Sequence, residues 1–322
     1  MKEQSNFVSD AAFDAFWLST MDANPPHLHE VSYKEIDEGL QSIRVFDVDF
    51  KGYAGSAVKG WFLLPAKQAA LFPLVIEFLP YGYGRGDVLS SLALAASGFA
   101  HFIMDVRGQG SEWRSGDTYD EGSTGPSIPG FMTRGLEDPV SHYFRRLYVD
   151  AFRAVAAAAA HPEISPTQIY VYGRSQGGAL ALAAAATSSL VRAAFIQAPF
   201  LADFSRSIFQ AQSGPYLEVL EWCRMHPNNA DNAFETLSYF DAARFAARCE
   251  IPGFYSIGLL DGVAPIESVE TVIAAHLGEA HVRRWKFNGH EVGGLADQRG
   301  MIAAIRAIPL EGAGGAAEIW FD

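Results

Sequence analysis

Thr167-Gln-Ile-Tyr-Val-Tyr-Gly-Arg-Ser-Gln-Gly-Gly178 reads as a short buried strand that turns sharply into a helix, with Ser175 at the apex. Gln168 to Tyr172 is β-branched and aromatic, too short for a helix and closed by a glycine, as a central strand buried on both faces requires. Ala179 to Ala186 is nearly all Ala and Leu, the best helix formers. Between them Gly173-Arg174-Ser175-Gln176-Gly177 fits G-x-S-x-G, whose glycines remove the β-carbons that would collide where strand and helix pass close together. Such a turn holds the serine hydroxyl outward and aims the free N–H groups of the helix at whatever the serine attacks. The plain alternative is a tight turn in which Ser175 only caps the helix. A strand before and a helix after favour the nucleophile.

Toward the N-terminus, residues 11–22 place Phe13, Phe16 and Trp17 on one face of a short amphipathic helix. Ile43 to Phe50 and Val58 to Pro65, separated by turn residues, predict a hairpin at the edge of a sheet. Pro73 to Phe78 is apolar on both faces, as a parallel strand should be, and ends in Leu79-Pro-Tyr-Gly-Tyr-Gly-Arg-Gly86. That loop fails as a dinucleotide fingerprint, because Gly82 and Gly84 would need a third glycine where Asp87 stands. It suits an anion hole instead, with Tyr81 best placed to donate its amide. Val88 to Ser97 reads as helix and Ala100 to Met104 as the next strand, with His101 a core histidine. Residues 107–135 form a long Gly, Ser and Pro-rich loop leaving the serine's edge of the sheet. Trp113 and Phe131 within it either line the pocket or pin the loop to the core. Asp138-Pro139 then predicts the opening of a helix that Pro162 closes.

Toward the C-terminus, Ala193 to Ala198 is another strand, and strand and helix alternate as in a mostly parallel sheet flanked by helices. Residues 203–249 break that rhythm. Asp203 to Ala211 and Ala233 to Arg248 read as helices joined by an Asn-rich link at 226–232, a small helical cap over the strand ends. The alternation resumes with a strand from Gly253 to Leu260, a helix at 266–277, a strand from His281 to Phe287 and a closing helix at 295–308. One domain over 1–322 follows, with an N-terminal helix and hairpin extension at about 1–66.

An acid and a histidine should leave later strand ends, in the order Ser, Asp or Glu, His. Asp261 and His290 satisfy both order and placement. His226 and His276 sit in the link and a helix, and His281 starts its strand at the wrong end of the sheet. Asp241, the rival acid, reads as a mid-helix solvated charge. In this arrangement His290 takes the Ser175 proton, Asp261 holds the imidazole, and the amides of Gln176 and Tyr81 meet the oxyanion.

Composition narrows the partners. Hydrophobic residues are 49% and charged residues 19%, enough for a large core. A net charge of −13 disfavours nucleic acid and anionic membranes, which require a basic face. Cys223 and Cys249 follow no metal or redox spacing and read as buried thiols. His27-Leu28-His29-Glu30 offers metal ligands, yet nothing nearby completes a site, so no metal and no cofactor are expected. Met1 to Ser5 lacks the apolar run of a signal peptide and no stretch approaches a membrane span, so a cytoplasmic location is expected.

Arg107-Gly108-Gln109, Gly173-Arg174-Ser175-Gln176-Gly177 and His290-Glu291, with Asp261 between the last two, resemble the three signatures of the acetyl xylan esterase and cephalosporin C deacetylase family, carbohydrate esterase family seven. Phe131 to Gly135, Thr236 to Asp241 and Phe13 to Trp17 resemble it as well, so the likeness spans nearly the whole chain. The resemblance implies an α/β-hydrolase fold and removal of acetyl groups from small acetylated sugars, often also from cephalosporin C. It implies no metal, oxyanion amides from Tyr81 and Gln176, and a closed homo-oligomer, commonly a hexamer with inward-facing sites. Arg174 and Ala264 stand where the family usually has a small residue and often a cysteine; the stretch from Glu121 to Ser127 also differs. Arg107 and Gln109 read as scaffold. Two other readings stay open: a peptidase or lactone hydrolase using the same triad, and a non-catalytic binding module.

Overall fold

In the computed structural model, which describes residues 7–67, 71–123, 125, 127–308 and 320, the chain enters through helix α1 (Asp10–Asp22). The Ser9 hydroxyl caps it by accepting from the Ala12 N–H at 3.2 Å. Phe13 and Trp17 are buried, and Phe16 packs on Tyr239 with ring centroids 4.6 Å apart. The reading of Met1 to Ser5 falls outside the described residues.

Strands β1 (Ser32–Ile36), β2 (Ile43–Lys51) and β3 (Ala57–Pro65) run antiparallel. The last two are the anticipated hairpin. β1 was not anticipated, because an edge strand reading Ser-Tyr-Lys-Glu-Ile is largely exposed and carries little apolar signal. There follow β4 (Phe72–Phe78), α2 (Ala93–Ala96), β5 (Ala100–Met104), α3 (Tyr143–Ala159), β6 (Ile164–Arg174), α4 (Gln176–Thr187) and β7 (Ala193–Gln197). Between β7 and β8 run α5 (Phe204–Gln210), α6 (Tyr216–Met225), α7 (Ala230–Ser238) and α8 (Ala242–Ala246). Then come β8 (Gly253–Gly258), α9 (Ile266–Ala275), β9 (Ala280–Trp285) and α10 (Gly294–Ala307). The sheet order is β1-β2-β3-β5-β4-β6-β7-β8-β9, antiparallel as far as the β3–β5 pair and parallel from β5 to β9.

Strands β5, β7 and β8 are fully buried and match the sequence reading to within two residues, since a parallel strand covered on both faces is apolar throughout, while β6 starts four residues before the predicted Gln168. Helices were harder to delimit. The segment at 88–97 splits into a 3₁₀ turn, Val88–Ser91, and α2. Asp138 does not open a helix: its carboxylate accepts from the Val140 N–H and the Ser141 hydroxyl, which closes a turn. α3 starts five residues later, at Tyr143, capped by His142, whose Nδ1 accepts from the Phe144 N–H. The predicted helix at 233–248 is broken at Tyr239 to Asp241. There Trp17 Nε1 and the Tyr148 hydroxyl donate to the Tyr239 and Phe240 carbonyls, and the Asp241 carboxylate accepts from the Ala243 N–H to start α8. Asp241 is therefore a buried helix cap rather than a solvated mid-helix charge. α6 was missed altogether. Cys249 is buried and Cys223 only half-buried; both are free thiols. Among the described residues, no helix is long and apolar enough to cross a membrane.

Candidate active site

The turn after β6 is as tight as its glycines imply. Ser175 adopts φ 58° and ψ −122°, a conformation that a non-glycine residue holds only when its surroundings over-determine it. They do: its N–H donates to the Gln197 carbonyl at 2.9 Å, and its own carbonyl accepts from the N–H groups of Gly178 and Phe200. A Cβ on Gly173 would stand 2.0 Å from the Gly177 carbonyl oxygen, and one on Gly177 would stand 1.9 Å from that of Phe78. The helix that begins at Gln176 is thus pressed against the end of β4, beside the loop that carries Tyr81.

Asp261 lies just after β8 with its side chain 2% exposed. One carboxylate oxygen accepts from the Val263 and Ala264 N–H groups at 2.8 and 2.9 Å, which fixes its direction. The other lies 2.8 Å from His290 Nδ1. A carboxylate so placed selects the tautomer with the proton on Nδ1, leaving Nε2 free to accept. His290 and Ser175 line one cleft of about 390 Å³ together with Tyr81, Glu112, Trp113 and Glu218. Among the described residues, no hydrogen bond joins the Ser175 hydroxyl to His290. The remaining histidines after Ser175 are engaged elsewhere: His276 with the Tyr255 hydroxyl and the Ile251 carbonyl, His226 with the Trp222 carbonyl, and His281 stacked on Phe254.

The backbone amides of Tyr81 and Gln176 donate to no group among the described residues. Gln109 holds the two segments together: its Oε1 accepts from the Gly82 N–H at 2.7 Å, while its Nε2 donates to Gln176 Oε1 at 2.9 Å. Gln109 is thus a strut between the two candidate oxyanion donors. Arg107 is buried scaffold, with Nε and Nη2 both on the Asp150 carboxylate at 2.5 and 2.8 Å.

Trp113 stands 70% exposed on the cleft wall. Phe131 is fully buried behind Tyr81, ring centroids 5.6 Å apart, so its side chain pins the loop rather than facing the cleft. Two contacts went unread in the sequence. The Tyr81 hydroxyl accepts from the Gly130 and Phe131 N–H groups and donates to Glu218 Oε1 at 2.7 Å; Glu218 Oε2 accepts from the Met132 N–H. Glu218 belongs to α6, so α6, the long loop and the Tyr81 loop meet at one hydroxyl. Burial pushes the Glu218 carboxyl above its ordinary range, opposed by the hydrogen bond from Tyr81. Only the helical spacing of Tyr216, Val219 and Leu220 could have signalled α6.

A parallel sheet with an antiparallel edge, a serine at a strained strand-to-helix turn, and an aspartate and histidine at later strand ends define an α/β-hydrolase fold. The chain belongs to the acetyl xylan esterase family: the model for Acetyl xylan esterase (AXE1) matches residues 2–302. Its structure resembles the acetyl xylan esterase from Paenibacillus sp. R4, with 31% identity, TM-score 0.82, and 92% of this chain and 93% of that one covered. It also resembles acetyl xylan esterase 1 from Thermoanaerobacterium sp. JW/SL YS485, at 27% identity and TM-score 0.80 over 96% of this chain and 93% of the other. Acetyl esterase Axe7A of Xylanibacter ruminicola is 28% identical over 263 residues, 79% of this chain. The chain spans 57% of that relative's length.

Proposed function

We propose that the chain is a serine esterase that deacetylates small acetylated substrates, acetylated xylo-oligosaccharides among them, through an acetyl-enzyme. The observation that carries this reading is the 2.8 Å contact of Asp261 with His290 in the cleft that Ser175 also lines. Family membership supplies the bond to be broken. As ester binds, the Ser175 hydroxyl comes within reach of His290 Nε2, which takes its proton while the oxygen attacks the acetyl carbon. Asp261 stabilises the imidazolium, and the amides of Tyr81 and Gln176 receive the negative oxygen; each such donor is typically worth about 3–4 kcal/mol of barrier. His290 then protonates the departing sugar oxygen as its bond to the acetyl carbon breaks, so that the sugar leaves as the alcohol. Water, deprotonated by the same nitrogen, releases acetate and restores Ser175.

The same resemblance extends the proposal to the acetyl ester of cephalosporin C, to a closed hexamer with inward-facing sites, and to a cytoplasmic location where only short imported oligosaccharides arrive. Acetate release from acetylated xylo-oligosaccharides, cephalosporin C and polymeric xylan, beside cleavage of an aminoacyl anilide, tests the reading. The small esters should be preferred over polymeric xylan and the anilide, and Ser175→Ala should lose turnover by about a millionfold. Preference for the anilide would overturn it in favour of a peptidase.

A further inference from the structure

Beside the cleft lies a second, larger recess of about 560 Å³. The two share Pro80, Tyr83 and Arg174 as lining residues, so they adjoin at the residue that precedes the nucleophile. The Arg174 guanidinium makes no hydrogen bond or ion pair with any described residue, although Arg174 is half-buried. Arg114, also half-buried, lines the same recess. Its Nη1 donates to the Ser91 hydroxyl at 3.4 Å and its guanidinium lies 5.8 Å from the centre of the Tyr83 ring. Two carboxylates line the recess as well, but each is committed elsewhere. Glu77 lies 2.9 Å from His101 Nε2, and Glu291 accepts from the Asn288 side-chain amide and the Gly289 N–H. Neither forms an ion pair with the arginines.

A guanidinium presents five donors in a fixed fork that matches a carboxylate. With no protein acceptor engaged, that fork is available to a bound anion. Its position matters as much as its charge. An ester whose acetyl carbon rests on Ser175 must extend its alcohol portion away from the oxyanion amides, and the recess adjoining Arg174 is open to receive it.

We infer that this recess binds a carboxylate carried by the alcohol portion of the ester, so that acetylated sugar acids are favoured over neutral acetylated sugars. Arg174 and Arg114 are the specificity-determining residues. The inference deepens the esterase reading above and rests on it for the reaction, though not for the binding.

Two measurements separate the two. The first compares kcat/KM for an acetylated methyl glucuronide with that for the equally acetylated methyl glucoside. The native chain should favour the glucuronide by about tenfold to a hundredfold, as a charge-assisted hydrogen bond allows. Arg174→Gln should collapse that ratio toward one, Arg114→Gln should lower it, and Arg174→Lys should keep part of it. A native ratio near one with brisk hydrolysis of both esters would overturn the recess assignment and leave the esterase standing. The second is calorimetric binding of free glucuronate and glucose to Ser175→Ala, which needs no hydrolysis. Glucuronate should bind more tightly than glucose, and adding Arg174→Gln should remove the difference. Equal binding of the two sugars would overturn the inference even if neither ester were ever cleaved.

Discussion

Gly177 shows how little room the nucleophile turn has. An alanine there would bring a methyl to 1.9 Å from the Phe78 carbonyl oxygen, a backbone atom that cannot swing aside. Gly177→Ala should therefore displace the start of α4 from the Tyr81 loop, lowering turnover by orders of magnitude and stability by a few kcal/mol. A urea midpoint and an activity assay on one preparation check both. Gln109 offers a milder test, because it touches Gly82 and Gln176 but not the cleft. Gln109→Ala should reduce kcat about tenfold or more with little change in KM, since it acts on donors that serve the transition state. Ser175, Asp261 and His290 were legible because motif spacing and strand ends are written along the chain. The Tyr81 hydroxyl's meeting with Glu218 was not, for 137 positions separate the partners and Glu218 stands in no motif.

Among the elements, the parallel strands and the helices α1, α9 and α10 announced themselves, whereas the start of α3 and the break between α7 and α8 did not. Continuous apolar runs mark a strand buried on both faces. A helix boundary depends on who takes the free backbone groups, and here distant side chains do: Trp17 and Tyr148 capture the carbonyls between α7 and α8. Two buried groups at helix starts give these elements opposing pH responses. Burial pushes Asp241 up to about 7, so the folded chain holds that proton where the unfolded one has lost it. Its contribution is fully present below about pH 4 and is lost as pH rises to about 7. Burial also pushes His142 down to about 4, so its contribution is present above about pH 6.5 and is lost as pH falls to about 4. The two slopes offset each other between about pH 4 and 6.5. Asp241→Asn keeps a capping side chain and removes one slope. Its urea midpoint should fall more steeply on acidification through that window than the native protein's, and parallel profiles would contradict the offset.

At the scale of the molecule, the long loop from 107 to 135 is tied back to α3 by ion pairs rather than by secondary structure. Arg107 joins Asp150 and Asp120, and Arg146 joins Asp120. Arg107→Met should cost about 3–5 kcal/mol, because it leaves the fully buried Asp150 carboxylate without its cation. Thermal melting followed by circular dichroism reads that loss. The sequence marked Arg107 as scaffold but not its partner, since Asp150 lies 43 positions away and stands in no motif. The account as a whole turns on whether Ser175 carries the acetyl group between the two half-reactions. Acid-quenching the protein during turnover of 4-nitrophenyl acetate and mapping its peptides by mass spectrometry tests this directly. The acetyl group should be found on the peptide containing Ser175, and it should be absent from Ser175→Ala. Turnover that leaves Ser175 unmodified while another residue is acetylated, or that continues undiminished in Ser175→Ala, would contradict the account.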